Sequence, residues 1–359
     1  MEKAANAPAR KQLGISAFPT LYVVDPSDGH VAIRWLGSAT IPQLERLFDD
    51  GELAVNGGAR GPALEALVQA DRAYGAQKYA EACDGFRHAL QAGGPEWAGY
   101  PRAITSYMFV ASQADSGEGI LQVADVAWSH VKGTAASAVV AGSALDAAVG
   151  LPNTHARREE WLQRYEAACR AVVADHSLGL EGDDLSGLYF SLEGARAAVE
   201  DSSGQRALEL EHVAMLEDRA KRATTPDQRV VFDSHRLSLY MELGHAERAI
   251  PMLEQSERDF PTDYNPPQRL ATAYKALQRW PEALTASDRA LKYAYGPRQF
   301  LVLTTRADIQ IGMGDKPAAV ATLMDALKKA QAMPDGQHSE ATVSGLRKRL
   351  AALGAKVAG

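Results

Sequence analysis

Two cysteines, Cys83 and Cys169, nine histidines and a small acidic group, Glu181, Asp183 and Asp184, are the side chains best equipped for chemistry. Cysteines form a redox centre or half a zinc site when spaced C-x-x-C, which lets both thiolates reach one partner. Here they are 86 positions apart, each inside a helical pattern, and read as small core residues. No histidine falls in H-E-x-x-H or another ligand spacing. The acidic group stands where a helix begins, so it reads as capping and as charge placed at the positive end of the helix dipole. Gly57-Gly58-Ala59-Arg60-Gly61 runs into Pro62 and lacks the Lys-Ser/Thr of a phosphate loop, and no G-x-S-x-G elbow occurs. The sequence nominates no catalytic residue, no metal site and no cofactor.

The remaining function class is binding. A net charge of −7 argues against nucleic acid, which needs a basic surface. Arg157-Arg158 and Arg347-Lys348-Arg349 read as solvated helix faces. The longest apolar run, Ala135–Gly150, is broken by Ser137, Gly142, Ser143 and Asp146 and falls short of the ~18 residues of a membrane span. Aromatic residues make up 7% while alanine is abundant, a bias that suits closely packed helices.

Residues 1–50 form a first module. Asn6–Gln12 is predicted to end a helix that Gly14 stops. Thr20–Val24 is β-branched and apolar, a strand. Asp25-Pro26-Ser27-Asp28-Gly29 is a turn, and Asp28-Gly29 favours a hairpin. Val31, Ile33 and Trp35 alternate with His30, Ala32 and Arg34, which predicts a second strand with one apolar face. Gly37 ends it, and Thr40 caps a helix with Ile41, Leu44, Leu47 and Phe48 on one side.

Leu13-Gly14-Ile15-Ser16-Ala17-Phe18-Pro19-Thr20-Leu21, with the hairpin, Gly37 and the helix, resembles the C-terminal half of the thioredoxin-like fold. The resemblance implies a cis Phe18–Pro19 bond and a peptide-docking backbone at Phe18, Pro19 and Thr20. The half that would carry the reactive cysteines is missing, so the chain reads as a truncated or partial domain. Its open strand edge is expected to dock on the helical region, on a partner or on a second copy.

Gly51–Pro62 contains four glycines and a proline and reads as a linker over 51–62. Beyond it the pattern is helical throughout. One spacing of three, four and three recurs: Tyr79, Ala82, Phe86, Ala89; Ala246, Ala249, Leu253, Ser256; Trp280, Ala283, Ser287, Ala290; and Lys316, Ala319, Leu323, Ala326. Ala249 and Ala283 are 34 residues apart, as are Tyr240 and Tyr274; Gly244 and Gly314 fall in the intervening turns, and Pro261 and Pro334 follow the second helices. This pattern resembles the tetratricopeptide (TPR) repeat, three units over 230–335 and a weaker one over 62–95. The spacing predicts helices over 101–114, 117–131, 134–149, 154–175, 184–201 and 204–222 between them. Asp183 or Asp184 and Ser203 are the expected caps, and Thr225-Pro226-Asp227-Gln228 is another helix start.

The expected fold is mainly α: a TPR-like α-α superhelix or solenoid after the thioredoxin-like half, with 63–225 irregular and 226–359 carrying repeats and a C-terminal helix. The resemblance puts a peptide-binding concave face on the first helix of each repeat, near Ser234, Ser238, Met241, Gln268, Thr272, Lys275, Thr304, Asp308 and Ile311. Only Lys275 fits the cationic clamp some relatives use for acidic chain ends, so that ligand is not expected. The chain is read as a protein-interaction scaffold linked to thiol redox biology. The alternative is a thiol–disulfide oxidoreductase lacking its C-x-x-C half. A bacterial periplasmic or envelope location is suspected, with the cytoplasm as the other option.

Overall fold

A computed structural model gives the fold and describes residues 13, 19–37, 39, 41–56, 61–114, 116–333 and 339–355. The expected helix at Asn6–Gln12, Phe18 with its bond to Pro19, the Thr40 cap and Pro334 lie outside these residues. The described residues divide into two compact units, one up to Leu208 and one from Glu209.

The first unit opens with an antiparallel hairpin, β1 (Thr20–Val24) and β2 (Val31–Leu36), in the register Tyr22↔Arg34 with an irregularity at Val23/Val24. The turn forms as its residues dictate. Gly29 has φ 76, and the Asp25 carboxylate accepts hydrogen bonds from the Ser27 amide and hydroxyl at 2.8 and 2.7 Å. At the other end the Pro19 carbonyl accepts from the Gly37 amide at 2.9 Å.

Helix α1 (Ile41–Val55) packs on the hairpin, and here two expectations are corrected. Gly51 does not begin a linker: it is buried inside the helix, and a Cβ there would lie 2.7 Å from a Val23 methyl. Glycine allows helix and strand to approach more closely than any side chain would permit. That contact also turns the helix. Leu47 and Gly51 are buried, Gly51 against Val23 of β1, whereas Ile41 and Phe48 are 73% and 61% exposed and do not share the buried side.

Next come α2 (Pro62–Gly75), α3 (Tyr79–Gly93), α4 (Tyr100–Ala114), α5 (Gly117–Val131), α6 (Ala136–Gly150), α7 (Arg158–Ala174), α8 (Gly182–Ala198) and α9 (Ser202–Arg222). Pro62 starts α2, where its missing N–H is no loss. Gly85 of α3 would bring a Cβ within 2.8 Å of Ala70, which sets the close crossing of α2 and α3. Helix α6 is apolar on nearly every face because α4, α5, α7 and α8 surround it; it is the unit's core helix. No described helix is long and apolar enough to cross a membrane.

The helix starts follow capping chemistry, with two differences from expectation. Glu181 caps α8, and Asp184 closes a capping box by accepting from the Glu181 amide at 3.3 Å. At α9 the cap is Asp201 and not Ser203, which lies inside the first turn: the Asp201 carboxylate accepts from the Gly204 amide at 2.9 Å and from the Ser203 hydroxyl at 3.0 Å.

The second unit continues from α9 with α10 (Pro226–Val230), α11 (Asp233–Glu242), α12 (Ala249–Asp259), α13 (Asn265–Ala276), α14 (Trp280–Tyr293), α15 (Arg298–Gly312), α16 (Lys316–Gln331) and α17 (Glu340–Ala352). Thr225 accepts from the Gln228 amide at 3.2 Å and starts α10 as expected. Helices α11/α12, α13/α14 and α15/α16 are the three expected hairpins, and each second helix also packs on the following first helix. The recurring residues Ala249, Leu253, Ser256, Ala283, Ser287, Ala290, Ala319, Leu323 and Ala326 are all buried.

The turns between the paired helices share one backbone feature. Each needs one residue in the left-handed region: Gly244 (φ 76), Gln278 (φ 56) and Gly314 (φ 80). Gln77 (φ 61) does the same between α2 and α3. The aromatic at the end of the first helix also recurs. Tyr240 donates to Glu217 at 2.5 Å with Arg248 over its ring, and Tyr274 donates to Glu254 at 3.2 Å with Arg279 over its ring.

Candidate functional site

Two arrangements stand out, one in each unit. In the first, the hairpin is seated on the helices by buried charge. Arg34 is 1% exposed although it points from the strand face expected to be polar. All six residues of β2 are buried, because α2 and α4 cover that second face.

Arg34 stacks its guanidinium over Tyr74 at 4.1 Å and Tyr22 at 5.2 Å, and its Nη2 donates to the Leu13 carbonyl at 3.1 Å. Its backbone N–H donates to Asp71 Oδ2 at 3.1 Å, and its carbonyl accepts from Arg102 Nε and Nη2 at 3.1 and 2.7 Å. Arg102 also donates to Asp71. Asp71 and Arg102 thus satisfy the outer edge of β2 as a neighbouring strand would. Burial pushes the Asp71 carboxyl up against the pull of Arg102 and Arg34, and pulls the Arg34 guanidinium down. Asp50 of α1 is also raised by burial, with Arg102 opposing.

The sequence reading missed this cluster. A signal was present: Leu64, Leu67, Val68, Asp71 and Tyr74 form one buried stripe of α2, with an aspartate where an apolar residue belongs. Asp233 carries the same signal in α11. It is 1% exposed, accepts from Ser256 at 2.6 Å and is pushed up by burial.

Of the expected docking residues at the hairpin, Pro19 is exposed beside β1 and Thr20 is half-buried at its first position. Both cysteines are buried; burial, with Asp146 and Glu166 nearby, pushes the Cys169 thiol up. Neither is placed as a thiolate nucleophile.

In the second unit the expected inward residues fall on α11, α13 and α15. Ser238, Met241 and Ile311 are exposed, and Ser234 is half-buried. Gln268 is buried and donates Nε2 to Thr305 Oγ1 at 2.8 Å, tying α13 to α15. The hydroxyls of Thr272 and Thr304 bond back to carbonyls of their own helices, Gln268 O at 3.1 Å and Phe300 O at 2.8 Å. Lys275 and Asp308 are brought together, Nζ to Oδ2 at 3.2 Å, and Asp308 takes Arg349 of α17 on its other oxygen. One carboxylate therefore bridges cations from the helices on either side. Arg349 is a member of this face that the repeat pattern, which ends before α17, did not supply.

Between α15 and α17 this face opens into a groove of about 390 Å³, lined by Phe300, Leu301, Thr304, Gly345, Leu346 and Lys348 among others. Among the described residues no group of three or more His, Cys, Asp or Glu is placed to hold a metal ion.

No family model matches the chain, and no curated protein matches it. Among solved structures, it is similar to the TPR2AB-domain:pHSP90 complex of yeast Sti1, at 11% identity over 81% of this chain and 98% of that one, with a TM-score of 0.31.

Proposed function

We propose that this chain is a protein-interaction scaffold whose TPR-like hairpins hold a protein or peptide partner along the first-helix face of α11, α13 and α15. The observation that carries the reading is the division of labour along those helices. One stripe of each is buried in the hairpin crossings. The opposite stripe, with Ser238, Met241, Leu301 and Ile311, is exposed and rests on a rigid frame tied by Gln268–Thr305 and Lys275–Asp308–Arg349. Exposed side chains on a tied helical frame suit recognition of a partner.

The test is recovery of partners from the chain's own cells with wild type and with the double variant Ser238→Arg, Met241→Asp. Both positions are exposed, so the melting temperature should not move. Loss of a recovered partner supports the reading. An unchanged set of partners contradicts it.

A second reading concerns the hairpin. Pro19 just before β1, the β1–β2 pair and α1 in that order are what the thioredoxin-like resemblance asks of its C-terminal half. On that reading the module links the scaffold to thiol redox work, with Phe18, Pro19 and Thr20 as the docking backbone and the reactive cysteines on a complementary half. A peptide competing for the β1 edge and protecting the Thr20 and Tyr22 amides from exchange would support it; unchanged exchange would oppose it.

A further inference from the structure

The first-helix positions of the repeats keep a fixed register. Ser234, Ser238 and Met241 stand 15, 11 and 8 residues before Ala249, and the next two repeats place theirs at the same offsets before Ala283 and Ala319. Counting back from Ala82 in the repeat over 62–95 gives Leu67, Asp71 and Tyr74 of α2. Ser238 and Met241 are exposed, whereas Leu67, Asp71 and Tyr74 are 0%, 1% and 1% exposed. Two of these three meet the hairpin. Asp71 accepts from the Arg34 N–H at 3.1 Å, and the Tyr74 ring lies against the Arg34 guanidinium at 4.1 Å. Gly75, the next residue, leaves room for that side chain: a Cβ there would stand 2.9 Å from Arg34 Nη2.

The contact has the chemistry of ligand capture. An extended strand presents its outer edge, and side chains of α2 and α4 read one residue of it at three points. Asp71 takes the Arg34 N–H, Arg102 takes the Arg34 carbonyl, and Tyr74 takes the guanidinium. The fit is incomplete. Arg34 Nε and Nη1 and Arg102 Nη1 are buried with no acceptor among the described residues, whereas a settled core pairs nearly all its buried donors. Such a seat holds because its occupant is covalently tethered, which keeps the local concentration of the strand high.

We infer that β2 is an intramolecular ligand of the first repeat, anchored by Arg34 on the recognition face of α2, and that it closes this face to outside partners. The inference rests on the scaffold reading of the first-helix face and extends it to a repeat whose face the chain fills itself. The second unit then offers the open face, and the first unit offers one only when the hairpin leaves. The class of ligand follows from the seat: an extended segment with an arginine at its centre.

The test uses the full chain with a site-specific protease sequence inserted between Gly58 and Ala59. After cleavage, a fluorescein-labelled synthetic segment 1–58 is added in excess. Gel filtration and fluorescence polarisation follow whether it replaces the resident segment, and circular dichroism follows the helices left behind. The labelled segment should exchange in, with a Kd below about 100 μM, and the helical signal should survive release of the segment. An unlabelled segment carrying Arg34→Ala should compete at least about tenfold more weakly than the natural one. Three results would each overturn the inference: no exchange after about a day, loss of the helical signal on release, which makes β2 a core element, or equal competition by the Arg34→Ala segment. If exchange fails while Ser238→Arg, Met241→Asp still loses its partner, the tethered ligand is wrong and the scaffold reading stands.

Discussion

The backbone carbonyl of Arg34 on β2 accepts two hydrogen bonds from the guanidinium of Arg102 on α4, at 3.1 and 2.7 Å. Residues 68 positions apart are thereby locked together, and the hairpin becomes part of the helical unit instead of a free module. A two-stranded ribbon is marginal by itself in water. This one gains a covered face and a satisfied edge.

Asp71 is the shared acceptor of that seat. Asp71→Ala leaves Arg34 and Arg102 buried without their carboxylate and should destabilise the first unit by about 3–5 kcal/mol. Asp71→Asn keeps an acceptor for the Arg34 amide and should lose less. Urea unfolding followed by tryptophan fluorescence reads both, and a loss below about 1 kcal/mol for Asp71→Ala would contradict the seat as described.

Gly51 tests the same docking by shape. Gly51→Val pushes α1 off Val23, because even a Cβ there lies 2.7 Å from the Val23 methyl. A loss of about 1–3 kcal/mol in urea unfolding is expected. Gly150→Val, at a helical position where a Cβ meets nothing within 4 Å, is the control.

Much of the fold was legible because repetition amplifies weak signals. Ala249, Ala283 and Ala319 alone are ordinary alanines; at 34 and 36 residue spacing, each is a helix crossing. The seat was not legible because it depends on long-range partners. Arg34 alternates correctly for a solvent-facing strand residue, and only α2 and α4 folding over it make it buried. Gly51 was misread for a related reason: glycine marks both linkers and close approaches, and which applies depends on Val23, 28 positions earlier. On the recognition face, Lys275 was visible, but its pairing with Asp308 and the extension of the face to Arg349 needed the three-helix geometry.

The repeat turns yield a paired prediction. Gly244→Ala places a side chain at φ 76 and should destabilise by about 1 kcal/mol. Gln278→Gly relieves the same strain at φ 56 while adding freedom to the unfolded chain, so a gain of a few tenths up to about 1 kcal/mol is expected. Thermal unfolding of the two variants should move in opposite directions.

Asp125 supplies a pH test in the first unit. Its carboxylate accepts from Trp161 Nε1 at 3.1 Å and the Tyr165 hydroxyl at 2.8 Å, with Arg164 at 3.1 Å. Burial pushes the carboxyl up, but these hydrogen bonds and the Arg164 charge outweigh it and hold it below the usual range. A depressed folded value means the stabilisation is fully present above the unfolded value, near 3.9, and is lost as pH falls through the folded value. Asp125→Asn should therefore be less stable than wild type by about 1–2 kcal/mol at neutral pH, a gap that shrinks below about pH 4.

The scaffold reading is tested most directly by photo-crosslinkers placed singly at Ser238 and Thr272 on the first-helix face and at Thr285 on α14, in the chain's own cells. The account predicts a shared protein adduct from Ser238 and Thr272 and none from Thr285. Equal labelling from all three positions, or an adduct from Thr285 alone, would contradict it.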